Sequence, residues 1–227
     1  MSALYVFLRH LAALLYPARC PICNNIIGAM DGFCDKCEDV LIKYNYNFNM
    51  PKIKKFIAAF EYNDKIAPAI FIMKDGIGGN APYALGTALA ERIKSTGIQA
   101  DFIVPVPMYR ENLRKRGFNQ AELIAKEVGC ILDIEVRTGI VLKNRKTLPQ
   151  KELSKVQRKI NLKGAFSVAD KSEVKNKCIL IIDDVCTTGS TLSEIADILT
   201  ECGAESIFCA CACKTPELKR GDFNEPR

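Results

Sequence analysis

The chain has 227 residues, enough for one domain of ordinary size and a small module, and its 48% apolar content supports a real core. His10 is its single histidine, which argues against a Cys–His or Ser–His catalytic pair. The formal net charge of +6 is unevenly spread: residues 1–50 carry four Lys/Arg and four Asp/Glu, whereas residues 108–163 carry 14 Lys/Arg against 6 Asp/Glu. That local excess suits a polyanion, the bland alternative being a solvated basic face.

Residues 4–15 are apolar, with Leu4, Phe7, Leu8, Leu11, Leu14 and Leu15 at helical spacing. The stretch is too short to span a bilayer and lacks a small-residue cleavage site, so no transmembrane segment is expected. It reads as a helix docked on the chain's own core, with a membrane-surface or partner-binding helix as the alternative. Eleven cysteines without a secretory signal pattern point to a reducing, cytoplasmic compartment.

Four of them form two C-x-x-C pairs, Cys20/Cys23 and Cys34/Cys37, ten residues apart. Each pair fits a tight knuckle that aims two thiolates at one tetrahedral Zn²⁺, and a closed four-cysteine site is structural rather than catalytic. A redox role is the alternative, though redox pairs occur singly within a thioredoxin-like unit. Domain boundaries are expected at 1–50 for the helix and ribbon and 51–227 for the remainder.

Residues 54–62 read as a strand, and 64–74 as a helix with Asp64 as N-cap and Pro68 in its early turns. A glycine-rich loop at 75–80 leads to a helix at 82–95 and a strand at 102–106. A basic loop follows, with Arg110, Arg114, Lys115, Arg116 and Gly117, and then a helix whose face is Ala121, Ile124, Ala125 and Val128. Residues 143–163 are polar and basic, and read as a mobile loop or hairpin over a site, with a plain surface excursion as the alternative. Cys209, Cys211 and Cys213 alternate with alanines as small buried residues of a central strand.

The most informative stretch is 178–192. The run 178–182 has the length and β-branching of a buried parallel strand, and it ends in Asp183 and Asp184. Thr187, Thr188, Gly189, Ser190 and Thr191 follow, and then a helix with Leu192, Ile195, Ala196 and Leu199 on one face. A hydroxyl- and glycine-rich loop between a strand and a helix N-terminus favours phosphate. No Lys follows Gly189 as in a Walker loop, and the G-x-G-x-x-G spacing of dinucleotide sites is absent. Paired carboxylates at a strand's C-terminal end suit ribose hydroxyls, directly or through Mg²⁺. The bland reading is a helix-capping loop.

This stretch resembles the phosphoribosyl-pyrophosphate (PRPP) motif of type I phosphoribosyltransferases. The basic loop with Arg114, Arg116 and Gly117 is then where pyrophosphate is expected. Lys146, Gln150 and Arg158 would close over the ligand as a lid.

Taken together, the chain resembles the ComF family of competence or DNA-utilisation proteins. The resemblance rests on Tyr16 to Cys23, on Val104 to Pro107 with Arg116 to Leu123, on Thr147, Gln150, Leu153, Arg158, Asn161, Gly164 and Phe166, and on Ile182 to Thr191. It implies an α/β fold, a parallel-sheet type I phosphoribosyltransferase domain with a small N-terminal zinc ribbon. It also implies a cytoplasmic role in handling single-stranded DNA during transformation, alongside DNA-uptake or recombination proteins. Two positions depart from the family pattern: Tyr109 stands near where a His is common, and Asn24 where a Gly is common. The first weakens any claim of proton transfer by that loop. The expected ligands are PRPP or ribose 5-phosphate with Mg²⁺. Alternatives are an active transferase with an unidentified base or amine acceptor, and an adaptor for DNA-processing proteins.

Overall fold

The computed structural model describes residues 3–74, 79–147, 157 and 161–216. Its centre is a parallel four-stranded sheet. The strands are β1 (Lys55–Glu61), β2 (Phe102–Pro105), β5 (Cys178–Cys186) and β6 (Ser206–Lys214), in spatial order β1-β6-β5-β2. An antiparallel pair, β3 (Val141–Lys143) with β4 (Phe166–Val168), stands apart.

Alternation along the strands sends side chains into two cores. Ile57, Ala59, Leu180, Ile182, Ala210 and Ala212 meet α3 (Ala67–Lys74), α4 (Ala81–Lys94) and α6 (Gln120–Leu132) on one face. Ala58, Ile179, Ile181, Cys209 and Cys211 meet α7 (Ser190–Glu201) and the β3/β4 pair on the other. The helical faces expected at Ala121, Ile124, Ala125 and Val128, and at Leu192, Ile195, Ala196 and Leu199, are all buried. β6 is central, and its three cysteines are buried as expected.

Both sheet edges are covered. Residues 42–44 run antiparallel to β1, with Glu61 N–H donating to Ile42 O and Tyr44 N–H to Ala59 O. Residues 135–137 lie along β2, with Ile103 N–H donating to Glu135 O and Arg137 N–H to Ile103 O. Such cover removes the unpaired groups that would otherwise template aggregation.

Three local expectations change. The helix expected from residue 64 begins at Ala67, because Asn63 rather than Asp64 caps the turn: its Oδ1 accepts from Lys65 N–H at 2.9 Å and Ile66 N–H at 3.3 Å. The basic loop is a short helix, α5 (Arg110–Arg116). Residues 75–78 of the glycine-rich loop lie outside the described residues.

The third correction concerns α1 (Ala3–Leu15). Its apolar stripe faces outward, with Leu4, Phe7, Leu8, Leu11, Leu14 and Leu15 between 49% and 81% exposed. The opposite face docks. Tyr5 donates its hydroxyl to the Glu127 carboxylate. Arg9 donates to Ala29 O at 2.9 Å and Asn80 Oδ1 at 2.8 Å, and its guanidinium lies 3.4 Å from the Tyr83 ring centroid. A planar guanidinium that donates to two acceptors and stacks on an aromatic face anchors the helix more specifically than leucines could. Among the described residues no helix is long and apolar enough to cross a membrane.

Candidate ligand site at the carboxyl ends of β2 and β5

β5 carries Asp183 and Asp184 in its last turn of chain before the loop, both half-buried. Each carboxylate is fixed by the next peptide: Asp184 N–H donates to Asp183 Oδ1 at 2.9 Å, and Val185 N–H to Asp184 Oδ1 at 2.8 Å. Burial, and then the negative charge of Asp184, push the Asp183 carboxyl well above its ordinary range. Two hard oxygen donors that repel one another are a donor set a divalent cation such as Mg²⁺ relieves.

A lysine absent from the sequence expectations lies close by. Lys143, half-buried at the end of β3, has its ammonium pushed down by burial and partly restored by the charge of Asp183. The charge of Asp183 is felt at Lys143, and the β3/β4 pair packs in one core with Ile179 and Ile181 of β5.

The loop is shaped by Gly189, whose φ of 77° is the left-handed conformation a β-carbon disfavours. A β-carbon here would also sit 2.7 Å from Met50 Cε and 3.1 Å from Phe48 Cε1. Thr188 and Ser190 hydroxyls lie 2.8 Å apart, and α7 begins immediately at Ser190. Thr187, Gly189, Ser190 and Thr191 thus curl with Asp183 around one small hollow at a helix start. Beside it, residues 48–51 and the first turns of α7 enclose a cavity of about 310 Å³ lined by Thr188, Gly189, Ser190, Glu194 and Asp197. Glu194 is occupied, accepting from Gly164 N–H at 2.7 Å, and Asp197 pairs with Lys52 at 2.7 Å.

β2 lies beside β5, with Pro105 opposite Ile182 and Val106 N–H donating to Ile182 O at 2.8 Å. The chain leaving β2 therefore enters α5 one strand away from the acidic pair. Arg114 and Arg116 are exposed on α5. Gly117 ends that helix at φ 86°, donating its N–H to Leu113 O. Asn119 then starts α6: its Oδ1 accepts from Ala121 N–H at 3.2 Å, and its Nδ2 donates to Val106 O at 2.9 Å. The Arg-Gly-Phe-Asn-Gln stretch is thus a helix stop, a reversal and a helix start tied back to the strand end.

Of the lid residues, Lys146 is exposed and pairs with Glu111 of α5 at 3.0 Å, which joins the 143–163 segment to the basic helix. Gln150 and Arg158 lie outside the described residues.

At the other end of the chain, the Sγ atoms of Cys20, Cys23, Cys34 and Cys37 all lie within 4.8 Å of one another, with Cys23 and Cys34 3.6 Å apart. Four thiolates at about 2.3 Å from a tetrahedral Zn²⁺ stand roughly 3.8 Å apart, so the cluster fits the ion. Burial would raise the Cys20 thiol, but backbone N–H groups of Cys34, Cys23 and Ile22 outweigh it and bring it down to about 7. Cys20 and Phe33 belong to the main core, and Phe33 meets Phe60 of β1 edge to face at 5.8 Å.

Sequence reasoning missed Lys143, Lys214, Phe48 and Met50. Lys214 had a signal: it is the only charge in the otherwise apolar run 207–214.

A phosphoribosyl transferase domain family matches residues 80–222, and a double zinc ribbon domain family matches residues 11–48. The chain is 32% identical to "DNA utilization protein YhgH" of Escherichia coli strain K12 over 170 residues, covering 73% of this chain and 74% of that one. It is 42% identical to "Competence protein F" of Haemophilus influenzae over 106 residues, 46% of each chain. A purine phosphoribosyltransferase structure from Pyrococcus horikoshii is similar at 22% identity and a TM-score of 0.37, covering 59% of this chain and 75% of that one. With a parallel sheet, a phosphoribosyl transferase domain and a four-cysteine ribbon together in one chain, this protein belongs to the ComF/YhgH family of competence and DNA-utilisation proteins.

Proposed function

We propose that the site at the ends of β2 and β5 binds PRPP, or ribose 5-phosphate, with Mg²⁺, and that the protein takes part in handling single-stranded DNA during DNA uptake. The observation that carries the ligand reading is the adjacency of two strand ends. One bears paired carboxylates and a tight hydroxyl-rich loop at Gly189, the other opens into a short basic helix. A sugar with a phosphate at one end and a pyrophosphate at the other matches that division of charge.

In this reading Thr187, Thr188, Gly189, Ser190 and Thr191 hold the 5-phosphate. Asp183 and Asp184 orient the ribose hydroxyls, and Arg114, Arg116 and the turn at Gly117 face the pyrophosphate. Mg²⁺, when bound, neutralises the charge of the acidic pair and of the ligand. Lys146 pairs with Glu111 beside this end of the site, and in this reading Gln150 and Arg158 would join it in closing over the ligand. The DNA role rests on what the relatives are named for and on the exposed cations of α5. A thiol-rich chain of this kind suits the cytoplasm.

An active transferase would break the bond between the ribose anomeric carbon and pyrophosphate as an acceptor nitrogen attacks that carbon. A third reading, an adaptor for DNA-uptake or recombination proteins, is favoured by the outward stripe of α1.

Calorimetric titration with PRPP and Mg²⁺ tests the ligand reading. Binding is expected to disappear in the Asp183→Asn, Asp184→Asn double variant with its fold intact, and unchanged affinity would overturn it. Release of pyrophosphate with any base or amine would establish the transferase.

A further inference from the structure

The proposed phosphate loop contains no cation of its own, yet a buried one lies directly behind it. Lys214 ends β6 and is 1% exposed, paired in register with Cys186, the last residue of β5. Its Nζ donates to Thr187 O at 2.9 Å and to Thr215 O at 2.7 Å. The same ammonium lies 4.3 Å from the centroid of Phe48, and Phe48 and Met50 crowd Gly189. Thr215 N–H donates to Cys186 O at 3.0 Å, which closes the two strand ends onto one another. Among the described residues no carboxylate lies within 4 Å of this ammonium.

Among the described residues this ammonium is held by neutral carbonyls and an aromatic face, a costly setting for a buried charge with no carboxylate in ion-pair contact. Its placement serves the loop in two ways. It fixes the direction of the Thr187 carbonyl. In a planar trans peptide the following N–H, that of Thr188, points the opposite way, so holding the carbonyl against Lys214 turns that N–H away from the sheet. It also places a positive charge behind the backbone amides, which an arriving anion would offset in a low-dielectric setting.

We infer that Lys214 is the positioning residue of the phosphate loop: it sets the loop's backbone for the 5-phosphate without touching the ligand, and Phe48 holds it there. This rests on the reading of 187–191 as the 5-phosphate site. It also assigns a role to the segment between the metal module and β1, since that segment supplies the ring over the ammonium and the contacts on Gly189. The cation–π contact and the two carbonyl bonds together leave the ammonium one orientation, which is the condition for transmitting it to a peptide plane.

The experiment is calorimetric titration of the full-length zinc-loaded protein with ribose 5-phosphate and, separately, with inorganic pyrophosphate, both with Mg²⁺. Wild type is compared with Lys214→Met and Lys214→Arg. Removing the charge-assisted bonds is expected to weaken ribose 5-phosphate at least about tenfold. Pyrophosphate affinity should stay within about twofold, and Arg should restore part of the loss. A merely structural role would lower both affinities together, and that result overturns the inference, as does wild-type ribose 5-phosphate affinity in Lys214→Met. Failure of the wild type to bind ribose 5-phosphate at all overturns the site reading instead. Should Lys214→Met not fold, Phe48→Leu carries the same expectation, since it removes the ring and leaves every charge in place. Selective loss of ribose 5-phosphate supports the inference, and equal loss of both ligands rejects it.

Discussion

Asn119 ties the start of α6 to the end of β2: its Nδ2 donates to Val106 O at 2.9 Å while its Oδ1 caps Ala121 N–H at 3.2 Å. One buried amide therefore sets where the basic helix α5 leaves the sheet relative to the helix that follows. The Arg-Gly-Phe-Asn-Gln stretch around it has an architectural explanation before it has a chemical one.

Asn119→Ala should destabilise the protein by about 1–3 kcal/mol, since it removes a cap and leaves a carbonyl without its donor. Asn119→Ser keeps a cap acceptor and loses the donor to Val106, so it should fall between wild type and Ala. Urea denaturation of the three proteins checks the order, and a Ser variant as weak as Ala would show that the cap contributes nothing.

Asp183 should oppose folding at neutral pH. Its folded-state pKa lies well above the ordinary value, so the folded protein holds the proton more tightly than the unfolded chain does. Stability attached to this group is greatest below the ordinary carboxylate range and is lost as pH climbs through that range to the raised folded value. In Mg²⁺-free buffer at neutral pH, Asp183→Asn is expected to raise Tm, by about 2–4 °C for each kcal/mol of relieved penalty. The same variant should lose Mg²⁺-dependent PRPP binding. Differential scanning calorimetry across pH checks the sign, and a lower Tm at neutral pH would contradict it.

The ribbon should hold one Zn²⁺ per chain, measured by atomic emission. Cys34→Ser should lose the metal and lower Tm of the whole protein in a single transition. Cys20 and Phe33 lie in the main core beside β1, so the metal site cannot loosen without exposing that core. A separate low-temperature transition, with the main one unmoved, would show the ribbon to be energetically independent.

Arg114 and Arg116 are exposed and carry no packing role, so changing both to Ala should alter stability by under about 0.5 kcal/mol. Pyrophosphate affinity should nevertheless fall. If these cations also meet nucleic acid, single-stranded DNA affinity of the wild type should drop steeply with salt, and the double variant should show a shallower slope by about 0.7 per lost contact. Fluorescence anisotropy over a salt series measures both.

Much of the fold was legible from local periodicity. The buried faces of α6 and α7, the strands at β1, β2, β5 and β6, and the paired cysteines follow from spacing alone, because a helical stripe or a thiolate knuckle is complete within a few residues. The candidate loop at Gly189 was legible for the same reason. The short helix α5 was not, since Arg, Lys and Glu at an exposed position carry no periodic apolar signal.

What only the tertiary structure decided are relations between distant segments. Residues 48–51 reach Gly189, and Lys214 reaches Thr187 from the neighbouring strand. Residue 9 decided which way α1 faces: Arg9 found a ring and carbonyl acceptors at Tyr83 and Ala29, and its leucines were left outside. The sequence by itself determined the ingredients, acidic pair, hydroxyl loop, basic stretch and metal knuckles, each of which is local chemistry. Which cations stand behind the loop depends on strand order and register, and those are settled by packing across the whole sheet.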